Sequence, residues 1–222
     1  MKKAIVNYGS GGWYPRGSAR LKSSMQSFGF DGDFFIYDKL PKGCPTHQQS
    51  PYAFKPHLMQ YARARMYEAA LWCDSSIFAV NPIDPIFEKI EKQGYYFCHN
   101  GFNCAQTLTD NALKNLVITR DEAEQIPELT GCVMGLKFSH PKAVEFLETW
   151  MERSKDGTFV GNWKRDEKDS TDPRFLFSRH DQPVASVIAW QLGMREWEYP
   201  GEHFMYWKEQ RPNTVCLCNQ GM

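Results

Sequence analysis

The first forty residues alternate an apolar run, a glycine turn, a helical pattern and a second apolar run, an order that admits few folds. Ala4-Ile5-Val6 reads as a short strand running into Asn7-Tyr8-Gly9-Ser10-Gly11-Gly12, after which Leu21, Met25 and Phe28 recur at helical spacing. Phe34-Phe35-Ile36-Tyr37, within Asp33 to Asp38, reads as the next strand. Two neighbouring strands joined through a helix run parallel, so this is a βαβ unit. It predicts an α/β chain with a mainly parallel central sheet flanked by helices.

A Pro-rich connection spans Pro41 to Pro56, and from Pro56 the residues Leu58, Met59, Ala62, Met66 and Ala69 keep the helical period. Ala70-Leu71-Trp72-Cys73 follows as a fully apolar strand and stops at Asp74-Ser75-Ser76. A buried strand ending in a polar turn is where open α/β sheets place ligands. Ile77 to Val80 and Tyr95 to Cys98 read as further strands, with a helix between them that Asp84 caps and Pro85 opens. Thr119-Arg120-Asp121-Glu122 matches a capping box, which gives its acids a structural task. Thr130 to Phe138 reads as a strand, and Pro141 opens an amphipathic helix through Val144, Leu147, Trp150 and Met151. Asp156 to Ser178 is long, polar and irregular, the pattern of a mobile lid. Asp181 caps a last helix that Gly193 stops, and the tail from Met194 shows no helical pattern.

Charge narrows the function. The chain of 222 residues balances 26 Lys and Arg against 26 Asp and Glu, without the cationic excess of a nucleic-acid binder. No apolar run approaches the roughly 18 to 20 residues of a membrane span, and three apolar residues before Asn7 are too few for a signal peptide. Seven scattered cysteines suggest reduced thiols, hence a cytoplasmic protein. Aromatic residues make up 14% of the chain, a supply that suits stacking on bases or sugars as well as packing.

The stretch from Lys55 to Pro85 is the most specific. Lys55-Pro56, a helix, the strand ending at Cys73, Asp74-Ser75-Ser76 and then Asn81-Pro82-Ile83-Asp84-Pro85 together resemble the nucleotide-sugar glycosyltransferases of the GT-A fold, small bacterial and viral members included. In that family a strand ends in an Asp-x-Asp motif, followed by a short strand and a Pro-containing turn. Tyr8-Gly9 is similar to the family's nucleotide-contacting loop, Thr130 to Gly135 to its acceptor-side strand, and His180-Asp181-Gln182 to its late Asp-Gln element.

The resemblance covers nearly the whole chain and implies a single GT-A domain over residues 1–222 that moves a hexose from a nucleoside diphosphate sugar, a uridine diphosphate sugar first, to a glycan, lipid-linked or protein acceptor. Asp181 and Gln182 would then lie on the reacting side, and Tyr8, Gly9, Trp13, Lys55, Asp74, Ser75 and Ser76 on the donor. Mn²⁺, or Mg²⁺, would be held by Asp74, Ser76 and His203, where Ser76 replaces the family's carboxylate with a poorer ligand for a hard cation. Without a metal, Lys55, Arg16 or Arg20 would neutralise the diphosphate. Asp181 reads equally as an N-cap and as a site acid. The Ser76 departure keeps open a non-catalytic carbohydrate- or nucleotide-sugar-binding protein on the same fold. A nucleotidyltransferase ranks below both, because Gly9 to Gly12 carries no lysine.

Overall fold

A computed structural model describes residues 1–221. β1 (Lys3–Tyr8), α1 (Tyr14–Ser27) and β2 (Asp33–Tyr37) form the parallel crossover that the sequence predicts, in register from Ala4 opposite Asp33 to Tyr8 opposite Tyr37. α2 (Phe54–Ala64) returns the chain to β3 (Ala69–Cys73), which pairs in parallel with the other edge of β1. The apolar period that runs on through Met66 and Ala69 is not helix. Met66 adopts a left-handed turn and is exposed, and Ala69 opens β3, because the chain must reverse there for the Glu68 N–H to reach the Lys2 carbonyl at 2.8 Å.

β4 (Ile77–Ala79), α3 (Asp84–Gln93) and β5 (Tyr95–Tyr96) follow, then an excursion through β6 (His99–Asn103), α4 (Cys104–Thr107), α5 (Asp110–Leu116), α6 (Arg120–Glu124) and β7 (Pro127–Leu129). Thr119 caps α6 in the box read from the sequence. β8 (Val133–Lys137) re-enters the sheet antiparallel to β3, giving the order β2-β1-β3-β8-β5. α7 (Pro141–Arg153) and α8 (Asp181–Gln191) cover one face. Asp84 and Asp181 are the first residues of their helices rather than the caps, which are Ile83 and His180. Two strands in the tail, β9 (Phe204–Tyr206) and β10 (Leu217–Asn219), complete a second sheet with β4.

Both faces of the central sheet are buried, so its strands read as continuous apolar runs, yet the two-residue alternation still sorts them. Ile5, Leu71 and Cys73 face the core beneath α1 and α3, while Val6, Ala70 and Trp72 face the core beneath α2, α7 and α8. Residues 154–180 contain no helix or strand, but their length is tethered rather than free. Phe159 and Phe175 are fully buried, Leu176 N–H reaches the Gln106 carbonyl at 2.8 Å, and Arg174 pairs with Asp121 and Glu124 of α6. Among the described residues no helix is long and apolar enough to cross a membrane.

Gly17 shows how tightly α1 is seated. A Cβ there would lie 2.2 Å from the Ser75 carbonyl oxygen and 2.8 Å from the Trp13 ring. Alanine normally favours a helix over glycine by about 1 kcal/mol. Here Gly17→Ala is expected to destabilise instead, by about 1–3 kcal/mol, because the backbone it strikes cannot rotate away. A melting curve at or above that of the unsubstituted protein would refute the close approach.

Candidate active site

The site lies at the carboxyl ends of β1 and β3 and the amino end of β8. Asp74 follows β3 two residues after Trp72 and so points to the same face, where the Trp72 indole N–H donates to its Oδ1 at 2.8 Å. Lys55 occupies the first turn of α2 above that face and is buried. Its Nζ donates to the Gly131 carbonyl at 2.7 Å, lies 3.1 Å from Asp181 Oδ2 and is 3.5 Å from Asp74 Oδ1. A lysine at a helix N-terminus opposes the macrodipole, and burying it adds a desolvation cost. Burial alone would lower the Lys55 pKa, yet the carboxylates, Asp181 ahead of Asp74, hold it above the ordinary lysine value. Its charge is therefore fixed. Burial pushes the Asp181 carboxyl up to about 6, against the pull of Lys55.

Behind this triad lies a second layer. Gln182 accepts the Gly131 N–H at 2.7 Å and donates to Glu128 Oε1 at 2.9 Å. Glu128 is fully buried in the middle of β7, bonded to the Thr107 hydroxyl and the Asn100 amide, and 3.4 Å from Arg179 Nε. One residue, Gly131, thus takes the lysine on its carbonyl and the glutamine on its N–H. A Cβ on Gly131 would fall 2.5 Å from the Gln182 side chain. The backbone is strained on both flanks, with positive φ at Tyr52 (62°) and His180 (57°).

Two compartments meet at Tyr52. A polar cleft of about 160 Å³ is lined by Lys55, Asp74, Arg179, Asp181, Gln182 and Asn219, among others. A larger space of about 330 Å³ is lined by Tyr8, Ser10, Tyr14, His47, Tyr52 and Phe54. The structure therefore joins Lys55, Asp74, Asp181 and Gln182, and places Tyr8 in the neighbouring aromatic space. Trp13 stacks on Tyr14, and it is Tyr14 that lines that space. Gly9 and Ser75 lie under the site: the Ser75 hydroxyl is 3.0 Å from the Ser18 hydroxyl, and a Cβ on Gly9 would meet both oxygens. Arg20 is committed to the Ser76 carbonyl and the tail, and Arg16 is exposed outside both compartments.

Sequence reasoning missed Tyr52, Arg179, Glu128, Trp163, Tyr206 and Asn219. The Cys98-to-Thr130 excursion carries Glu128 and the tail carries Tyr206 and Asn219, while Tyr52, Trp163 and Arg179 lie in irregular segments where only the aromatic density hinted at the first two.

The residues named for a metal do not form a cage. His203 lines a different cavity with Asn81, Pro82 and Pro85, and its Nδ1 is 2.6 Å from Glu198. Ser76 is absent from the cleft lining and presents its carbonyl to Arg20. Among the described residues no three His, Cys, Asp or Glu side chains group as metal ligands. Asp74 stands beside an ammonium instead, so this donor set does not fit Mn²⁺ or Mg²⁺.

Solved glycosyltransferases share the fold. A glycosyltransferase involved in the glycosylation of the major capsid of PBCV-1 aligns over 99% of this chain and 93% of its own, at 10% identity and a TM-score of 0.56. Mouse xyloside xylosyltransferase 1, in its apo form, aligns over 99% of this chain and 98% of its own, at 10% identity and a TM-score of 0.55. The WbbM bifunctional glycosyltransferase aligns over 92% of this chain and 40% of its own, at 9% identity and a TM-score of 0.53. No protein-family profile and no curated protein sequence matches the chain. The central sheet and its flanking helices have the fold of these structures, the GT-A fold that the sequence motifs imply.

Proposed function

We propose that this chain transfers a hexose from a nucleoside diphosphate sugar, uridine diphosphate first among the candidates, to an acceptor hydroxyl. The observation that carries the reading is Lys55, a buried ammonium between two carboxylates at a strand end, beside an aromatic space. Ligand pockets commonly measure about 300–1,000 Å³, so the polar cleft alone suits a single sugar ring and the aromatic space suits a base. In transfer the acceptor oxygen bonds to the anomeric carbon, the bond from that carbon to the diphosphate oxygen breaks, and its electron pair leaves with the diphosphate. Lys55 and Arg179 face the charge that gathers there. Asp181, with its pKa raised to about 6, is suited to receive the acceptor's proton.

A panel of uridine, guanosine, adenosine, cytidine and thymidine diphosphates, each with Mn²⁺, Mg²⁺ or EDTA, tests the reading by thermal shift. At a hundredfold excess over Kd one nucleotide is expected to add about 2.7 kcal/mol, roughly 5–10 °C for a chain of this size, and to do so in EDTA. No shift with any nucleotide would overturn the donor assignment. The lack of a carboxylate cage beside Asp74 favours one second reading, a carbohydrate- or nucleotide-sugar-binding protein without turnover. Nucleotide binding with no release of free diphosphate across sugar donors identifies it.

A further inference from the structure

The rim of the polar cleft carries more bare aromatic surface than a folded chain needs. Trp163 lines it 53% exposed and Tyr206 lines it 40% exposed. Neither residue hangs on a loose loop. Trp163 meets the His180 ring at 4.8 Å and the Tyr52 ring at 5.9 Å, both nearly edge to face. The residue just before it is pinned twice, since Asn162 N–H donates to Asp169 Oδ2 at 2.7 Å and Ser178 N–H donates to the Asn162 carbonyl at 2.8 Å. At Gly161 a Cβ would strike Ser178 at 2.5 Å, so the backbone just before the tryptophan runs tight against its neighbour. The Tyr206 hydroxyl reaches towards Thr130 Oγ1 at 3.4 Å, which holds its ring over the cleft wall.

Holding an indole in place with half its surface in water forgoes burial that the fold leaves unrecovered, and a ligand recovers it. Below these rings the cleft offers planar polar groups, Arg179, Gln182 and Asn219, with Thr130 beside them. Flat rings above and planar hydrogen-bonding groups below suit a sugar, whose axial C–H face packs on an aromatic ring while its hydroxyls, both donors and acceptors, meet amides and guanidinium.

We propose that Trp163 and Tyr206 form the acceptor subsite and that the acceptor is a carbohydrate, its terminal pyranose stacked at the mouth of the cleft. This rests on the transfer reading above, with the donor's sugar against Lys55, Asp74 and Asp181 and the acceptor ring against the aromatic rim.

The test measures binding of defined cello-, xylo-, malto-, chito- and galacto-oligosaccharides by ligand-observed NMR, in the presence of the nucleoside diphosphate that gives the thermal shift. The unsubstituted protein is expected to bind at least one series. Trp163→Ala is expected to weaken that binding at least tenfold, and Trp163→Phe, which keeps a ring, to stay within about threefold of the parent. The nucleotide thermal shift of each variant, read on the same preparation, reports that the fold and donor side are intact. Equal binding by Trp163→Ala, or no binding of any series by a protein that does shift with nucleotide, overturns the subsite. Oligosaccharide binding that Trp163→Ala removes, in a protein that shifts with no nucleotide, supports the rim as a sugar site and overturns the donor reading instead.

Discussion

Replacing Lys55 with methionine is expected to abolish turnover and to lower stability by about 3–5 kcal/mol, the usual cost of removing one partner from a buried ion pair. Methionine keeps most of the volume, so the loss would come from charge rather than from a cavity. Asp181 is as buried as Lys55 and would be left beside Asp74 with no counter-ion, two acids facing a cleft from which the ammonium has gone. For a chain of this length the deficit corresponds to a fall in Tm of about 6–20 °C. It should shrink in acid, where Asp181 takes a proton and no longer needs the lysine. The double variant with Asp181→Asn should recover much of the loss, and the pairwise term from that cycle measures the ion pair itself. A Lys55→Met protein that melts within a degree of the parent at pH 8 would show that the pair does not form.

Lys55 also shows what the sequence makes legible. A lysine before Pro56 has no reason to be buried until the strand end at Asp74 and the helix start at Asp181 are both placed around it, yet each of the three stands next to a local signal. The strand is an unbroken apolar run, the helix starts carry proline, and a polar turn follows at once. Those signals sit within a few residues, so the strands and helices from β1 to β3 could be read directly, while the meeting of Lys55, Asp74 and Asp181 was implied only by the family resemblance. Tyr52, Arg179 and Glu128 carry no such mark. They reach the site because β6 and β7 pair across an excursion of about thirty residues and because the chain turns at positive φ where nothing in the side chain requires it. β9 and β10 are three residues each and depend on pairing, β10 with β4 and β9 with β10, so the tail that supplies Tyr206 and Asn219 shows no pattern of its own. His203 misled for the same reason. It resembles the family's late histidine by its place in the chain, whereas in the fold Glu198, five residues away, holds it. Met66 and Ala69 erred differently: their spacing is helical, but the strand beside β1 claims the chain first.

Glu128 should make the protein more stable at pH 5 than at pH 8, against the trend of most carboxylates. Burial pushes its pKa from 4.5 up to about 7, and the Thr107 hydroxyl, the charge on Arg179, the Asn100 amide and Gln182 pull it only part of the way back. A carboxyl whose pKa is higher in the folded chain keeps a proton that the unfolded chain has already released. Its contribution is therefore fully present below about 4.5 and is lost as pH rises through about 7, a difference of about 3 kcal/mol. Two neighbours titrate nearby. Asp181, raised to about 6, slopes the same way, and His180, lowered to about 4 by burial, slopes the other way. Glu128→Gln leaves both in place and removes only the Glu128 proton, so the comparison isolates it. Its Oε1 can still accept from Asn100 and Gln182, while its amide donates to a Thr107 hydroxyl turned to accept. Urea unfolding at pH 5 and pH 8 is expected to show the difference between the two pH values shifted by about 3 kcal/mol on going from parent to variant. Activity should respond as well, because protonated Glu128 has lost the charge that orients Arg179, and the chain from Glu128 through Gln182 to Gly131 seats Lys55. The acid limb of the rate profile near pH 7 should then flatten in Glu128→Gln. Identical pH dependence in parent and variant would remove Glu128 from the site's proton balance.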